Sequence, residues 1–532
     1  MLVDDVFRTT CGEVRGFRAA DDVVAVLGVP YAAPPFGADR FRAPQPAAPW
    51  SGVRDGTRFG PVAPQSAELP GAPVWSPGDE DVLTVNVWTP APDGGSLPVL
   101  VWFHGGAYAF GSSAQPDFDG TALARAGLVV VTLNHRLGFE GFGHLPGTGG
   151  EALPDNRGLL DQVAALRWVR ENIAGFGGDP GNVTVAGQSS GAAAVACLMV
   201  TDRARGLFRR AIAHSPASVF HTRAVAAATT REIAAEAGRP ATPEGLASAP
   251  PEALVAAADR VVQTYRADPA SGSRHYDPSL FAPVLGGDAL PVDPLTALAA
   301  GAGRDVDLLV CHTTEEYWLL DAVGSCAELN TDAELTRFAE DFGLPAELVD
   351  GYRAARPHAP VRDVYLAVFG DLLFGEFGNR LADAHAEAGG RTYLSRFDRR
   401  RGGGAGGDET GGGSGAEAGS GSRDGGGTAV RAWHCADVPF AFGNHADPRL
   451  SFLIGCAPTE ADHGLARRMV RAWAGFAATG DPGWAPLGAP DARAVPARTV
   501  HVWTPEDQTP DRLPATPPRE LWATVGFPVL RP

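Results

Sequence analysis

The chain has 532 residues, 44% of them hydrophobic, with 62 acidic against 44 basic residues and a formal net charge of -18. With a mean hydropathy of -0.07 it has the apolar material for a large core, which excludes a chain disordered throughout. The acidic excess excludes an electrostatic grip on a phosphate backbone, so no nucleic-acid partner is expected.

The first residues, MLVDDVFRTT, carry two aspartates where a secretory signal needs a basic start and an apolar run. No stretch of roughly 18 apolar residues follows, so a cytoplasmic protein without a membrane span is expected. Six scattered cysteines (Cys11, Cys197, Cys311, Cys326, Cys435 and Cys456) form no C-x-x-C pair and no metal-ligand spacing with histidine. They read as free thiols, and no metal is expected.

Residues 1–50 are dense in Pro and Gly and predict an irregular, turn-rich segment. Short apolar runs then predict buried strands at Val85–Trp88, Pro98–Phe103, Val129–Leu133 and Val183–Ala186. Between the last two, Leu159, Val163, Leu166 and Val169 recur at helical spacing, so strand, helix and strand imply parallel pairing through crossovers. The alanine-rich stretch from His221 to Asp268, broken by prolines, predicts several short helices suited to capping a cleft. Helices are predicted over Thr331–Phe342 and Val364–Ala386, and a strand over Arg391–Phe397. Residues 401–427 hold 14 glycines among 27 residues. That composition cannot bury a core and reads as a flexible insertion within one domain spanning 1–532, bordering the segment of His434.

Two motifs carry chemistry. Gly187-Gln188-Ser189-Ser190-Gly191 follows the apolar run Val183–Ala186 and precedes the helix-compatible stretch Ala192–Met199, the context of a nucleophile elbow that exposes a serine hydroxyl at a helix start. His104-Gly105-Gly106-Ala107-Tyr108 directly follows a strand. Small residues there let backbone amides aim at an oxyanion, and Gly106, Ala107 and Ser190 are the candidate donors.

The run Phe176-Gly177-Gly178-Asp179-Pro180-Gly181-Asn182-Val183-Thr184-Val185-Ala186-Gly187-Gln188-Ser189-Ser190-Gly191 resembles the active-site signature of type-B carboxylesterases, the family that includes the cholinesterases. Further segments with the same resemblance are Gly28-Val29-Pro30-Tyr31-Ala32, Asp81 to Trp88, Asn134 to Gly138, Gly158 to Gln162 and Pro439 to Asn444. The resemblance implies an α/β-hydrolase fold, a mostly parallel twisted sheet with helices on both faces and helical cap insertions, and a triad in the order Ser, acid, His. It assigns Ser189 as nucleophile. It assigns Glu316, ending Cys311-His312-Thr313-Thr314-Glu315-Glu316, as the acid, with a swap to Glu315 left open. It assigns His434, in Trp433-His434-Cys435-Ala436-Asp437-Val438-Pro439-Phe440, as the base. His104, His135 and His214 are the rivals for that place.

Three departures from the family pattern stand out. Val82 occupies the place of a cysteine that forms a disulfide in many secreted relatives, while Ala107 and Ser190 replace small residues without removing a backbone amide. The reading implied is a serine esterase acting on small-molecule esters without a cofactor. The alternatives are an amide or carbamate hydrolase of the same fold, and a non-catalytic binding protein. Tyr108, Phe110, Tyr317, Trp318 and Trp433 are the aromatic residues that could line its pocket. Oligomeric state is not legible.

Overall fold

A computed structural model describes residues 5–66, 73–92, 94–146, 153–400, 430–455, 457–488, 500–506 and 517–527. The proposed insertion at 401–427 lies outside them. The main sheet has ten strands: β1 (Phe17–Ala20), β2 (Val23–Pro30), β3 (Thr84–Thr89), β4 (Leu97–Phe103), β5 (Val129–Leu133), β6 (Gly178–Gln188), β7 (Arg210–His214), β8 (Asp307–Thr313), β9 (Thr392–Phe397) and β10 (His501–Trp503). Their spatial order is β10-β9-β8-β7-β6-β4-β5-β3-β2-β1. From β5 through β10 every pairing is parallel, whereas β1, β2 and β3 add antiparallel strands at one edge. This is the α/β-hydrolase fold, and its order reverses around β6, so the carboxyl end of β6 faces a crevice where such sheets bind ligands.

The continuous apolar runs follow from burial of both sheet faces. Successive side chains of a strand point to opposite sides. Val99, Val101 and Phe103 of β4 therefore pack in one core with Leu159, Val163, Leu166 and Val169 of α1 (Arg157–Asn172). Leu100 and Trp102 pack in a second core with Leu465, Met469, Trp473 and Phe476 of a long helix over Glu460–Thr479. That helix starts at a reciprocal cap between Thr459 and Asp462, which satisfies amides that no helical carbonyl can reach.

Two expectations need correction. Within the first fifty residues, three-residue strands at Val6–Arg8 and Glu13–Arg15 join Val53–Asp55 in a small second sheet, and β1 and β2 form a hairpin across Asp21 and Asp22. The alternating apolar residues Val14, Val24 and Val26, all fully buried, decide this stretch, and the Pro and Gly density describes only residues 31–50. The alanine-rich region holds one five-residue helix, Pro243–Ala247, but also helices of 14 and 17 residues at Arg223–Glu236 and Pro251–Ala267. Pro243 and Pro251 lie at helix starts, where the missing amide is harmless, so they punctuate rather than shorten. The expected helix over Val364–Ala386 is a helical run from Val361 to Glu387 with a π-helical turn at Asp371–Gly375. No described helix is long and apolar enough to cross a membrane.

Candidate active site

Strand β6 ends at Gln188 and the helix α2 (Ser190–Val200) begins two residues later, so Ser189 makes the whole turn. Its backbone, at φ 57° and ψ -123°, is one that an L-residue adopts only under constraint, at about 1–3 kcal/mol. The constraint is visible. The Ser189 amide donates to the His214 carbonyl at 2.9 Å, and the Ser189 carbonyl accepts from Ala193 at 2.9 Å. Gly191 packs so close under the turn that a Cβ there would lie 2.2 Å from the carbonyl oxygen of Phe103.

After β4, Gly106, Ala107 and Tyr108 take consecutive positive φ values of 114°, 49° and 60°. A Cβ on Gly106 would fall 1.9 Å from the Phe110 carbonyl oxygen, so only glycine fits. This loop closes on itself by Ala109 and Phe110 donating to the Gly106 carbonyl at 2.9 and 3.0 Å. Among the described residues the amides of Gly106 and Ala107 donate to no backbone carbonyl. Gly106, Ala107, Ser189, Ser190 and His434 line one cavity of about 860 Å³.

His434 is nearly buried, 5% exposed, and its Nδ1 lies 2.6 Å from Oε2 of Glu316, itself 3% exposed. The other oxygen of Glu316 accepts from the Thr313 amide and from Ser215 Oγ, both at 2.7 Å. Glu315 turns elsewhere: its oxygens accept from Arg431 and from the Ala432 amide, both at 3.0 Å, and it fastens the strand-like segment before His434. Geometry thus brings Glu316, not Glu315, against the histidine.

The rival histidines are accounted for. His104 stacks on His135 at 4.7 Å beneath the glycine loop, and burial, with the charge of His135 adding, pushes it down to about 3. Burial likewise pushes His135 down to about 4. His214 is fully buried, with Nδ1 2.6 Å from Asp437 and Nε2 accepting from Trp473 Nε1 at 2.8 Å. Cys311 lies close enough to His214 and Asp437 for the three to offer metal ligands, but both nitrogens of His214 are already engaged, and the trio fits a structural network. The five described cysteines are all unpaired.

A sequence model for the carboxylesterase family matches residues 3–509. The chain belongs to the carboxylesterase family. Para-nitrobenzyl esterase of Bacillus subtilis is 33% identical over 487 residues, covering 90% of this chain and 91% of its own. Phenmedipham hydrolase of Pseudarthrobacter oxydans is 34% identical over 492 residues, 91% of each chain. The crystal structure of a Geobacillus stearothermophilus carboxylesterase at pH 6.2 superposes with a TM-score of 0.76 at 35% identity, covering 97% of this chain and 100% of that one.

Family membership makes this protein a carboxylic ester hydrolase. Of the aromatic residues named from sequence, Tyr108, Phe110 and Tyr317 line the cavity of this carboxylesterase. Trp433 instead stacks on Phe452 at 5.5 Å and donates to the Leu453 carbonyl, and Trp318 lies under the guanidinium of Arg431. Phe374 covers the His434 ring at 4.1 Å between centroids. Asp117 also lines the cavity, its carboxyl pushed up to about 7 by burial.

Three contributors escaped the sequence reading: Ser215, which steadies Glu316; Asp437, which ties the His434 segment to His214; and Gln188, whose side-chain nitrogen sits 2.8 Å from Nε2 of His434. Each depends on a neighbour more than 100 positions away in the chain, and no local pattern signals such pairings.

Proposed function

We propose that this carboxylesterase hydrolyses small-molecule carboxylic esters through Ser189, with His434 as general base, Glu316 as the carboxylate that orients it, and the amides of Gly106, Ala107 and Ser190 as the oxyanion hole. The observation that carries the reading is the 2.6 Å contact between Glu316 and His434, the latter lining the cavity that also holds the strained Ser189.

His434, holding its Nδ1 proton toward Glu316, takes the Ser189 hydroxyl proton on Nε2 as the oxygen attacks the ester carbonyl. The tetrahedral oxyanion rests on the amides of Gly106 and Ala107 from the loop after β4 and of Ser190 at the start of α2, where the helix dipole adds favourable charge. His434 then protonates the leaving alcohol, and water repeats the sequence on the acyl-enzyme. Burial of Glu316 keeps its charge close to the imidazolium as it forms, which strengthens their attraction over that in water. Every proton moves between protein groups, substrate and water, and the scheme calls on no cofactor.

A carbamate could pass through the same steps, giving a carbamoyl-enzyme. The likeness to a phenmedipham hydrolase favours keeping this as a second reading.

The test is hydrolysis of a short-to-long series of p-nitrophenyl acyl esters, with an aryl carbamate beside it, by the purified protein and by Ser189→Ala. Ester hydrolysis lost in the variant supports the serine mechanism, and the chain-length optimum sizes the acyl site. Activity surviving in a folded Ser189→Ala protein overturns it.

A further inference from the structure

In a strand, adjacent side chains point to opposite faces. At the end of β6 this rule is broken: Gln188 and Ser189 both line the active cavity, because the positive φ of Ser189 turns the chain through the elbow. Gln188 cannot drift, since its backbone is in register with His214 on β7 and its side chain is 6% exposed. Its amide nitrogen reaches Nε2 of His434 at 2.8 Å. Among the described residues no hydrogen bond joins Ser189 Oγ to that nitrogen.

A side-chain amide nitrogen only donates. With Nδ1 of His434 facing the Glu316 carboxylate, the amide donor of Gln188 meets Nε2 on the side of its lone pair. That lone pair is the one that has to receive the Ser189 proton. We propose that Gln188 is a positioning residue that holds the basic lone pair of His434 between turnovers, storing the general base as the neutral Nδ1–H tautomer, and that Ser189 displaces the amide when a substrate carbonyl arrives. This rests on the Ser189–His434–Glu316 reading.

The surroundings of His434 leave this role to Gln188. Glu316 faces the opposite nitrogen. Phe374, packed on the ring from the π-helical turn, carries no charge. The Cys435 thiol is pushed well above its ordinary value, first by burial and then by the charge of Asp117, and so stays neutral. Asp437 is engaged with His214, and Asp117 lines the same cavity and acts on the Cys435 thiol.

A donor to the neutral imidazole opposes its protonation, and a carboxylate in the same place favours it. The experiment is the pH profile of kcat/KM for a p-nitrophenyl ester with wild type, Gln188→Met and Gln188→Glu. The acid limb is expected to move up by about 1 pH unit in Gln188→Met and about 2 in Gln188→Glu. A purely structural glutamine would lower the plateau and leave the limb in place, and that result overturns the proposal. Independently of these variants, 15N NMR of His434 in Ser189→Ala is expected to show a protonated Nδ1 and a bare Nε2 at neutral pH. An Nε2–H tautomer or an imidazolium there overturns the proposal even if the Gln188 variants do not fold. Failure of the underlying triad is read separately, from activity that persists in Ser189→Ala.

Discussion

His214 Nδ1 lies 2.6 Å from Oδ2 of Asp437 with both side chains fully buried, and the carbonyl of the same histidine accepts the amide of Ser189 at 2.9 Å. One residue of β7 thus fastens the Ser189 turn through its backbone and the His434 segment through its ring. Removing one partner of a buried pair leaves the other unsatisfied, and Asp437→Ala is expected to lose about 3 kcal/mol of stability, read as a fall in melting temperature, together with activity. Burial raises the Asp437 carboxyl, but His214 outweighs it and the net direction is down from 3.8. A depressed carboxylate contributes stability above its unfolded value and loses it as pH falls through the folded one, so the difference between wild type and Asp437→Ala should shrink in acid below pH 3.8.

The two adjacent glutamates separate by partner. Glu316→Gln, which leaves His434 without its carboxylate, is expected to lower kcat by about 10²- to 10⁴-fold. Glu315→Gln, which weakens only the hold on Arg431 and Ala432, is expected to cost less than about tenfold. Ser189→Ala should lose about 10⁵-fold or more. Steady-state kinetics on one p-nitrophenyl ester ranks the three, and equal losses at Glu315 and Glu316 would contradict the assignment.

In the glycine loop, Gly106→Ala sets a methyl group against the Phe110 carbonyl and should disorder the proposed oxyanion donors, lowering kcat by about 100-fold or more. Ala107 keeps its amide whatever its side chain, and at φ 49° it carries the left-handed penalty that glycine avoids. Ala107→Gly should therefore retain most activity and hold or slightly raise the melting temperature.

Asp117 makes a pH-dependent prediction. Its carboxyl, pushed up from 3.8 to about 7, favours the protonated form in the folded state. Its favourable contribution is complete below pH 3.8 and disappears as pH rises through about 7. Asp117→Asn should accordingly gain about 1–2 kcal/mol over wild type at pH 8, discounted for the half-open cavity wall, and nothing at pH 3.5, as thermal unfolding at the two pH values would report.

Much of this protein is legible from the sequence. The elbow motif, the glycine loop and the apolar strands around them are local: a turn with glycines at 187 and 191 and buried runs such as Val129–Leu133 need only neighbouring residues to declare themselves. His434 and Glu316 were found through resemblance, because nothing within a few residues of either distinguishes them from other histidines and glutamates.

What only the tertiary structure decided was which side chains meet across the sheet. Placing β7 between β6 and β8 brings Ser215 to Glu316 and sets His214 against both Ser189 and Asp437, while Glu315 turns away to Arg431. The turn at Ser189 brings its side chain into the same cavity as Gln188, which its strand register holds beside His434, against the alternation a strand would impose. Hydrophobic periodicity sets the fold because burial repeats along the chain. The hydrogen bonds from Gln188 and Glu316 to His434 and from Ser215 to Glu316 join residues more than 100 positions apart, and the tertiary fold fixes those.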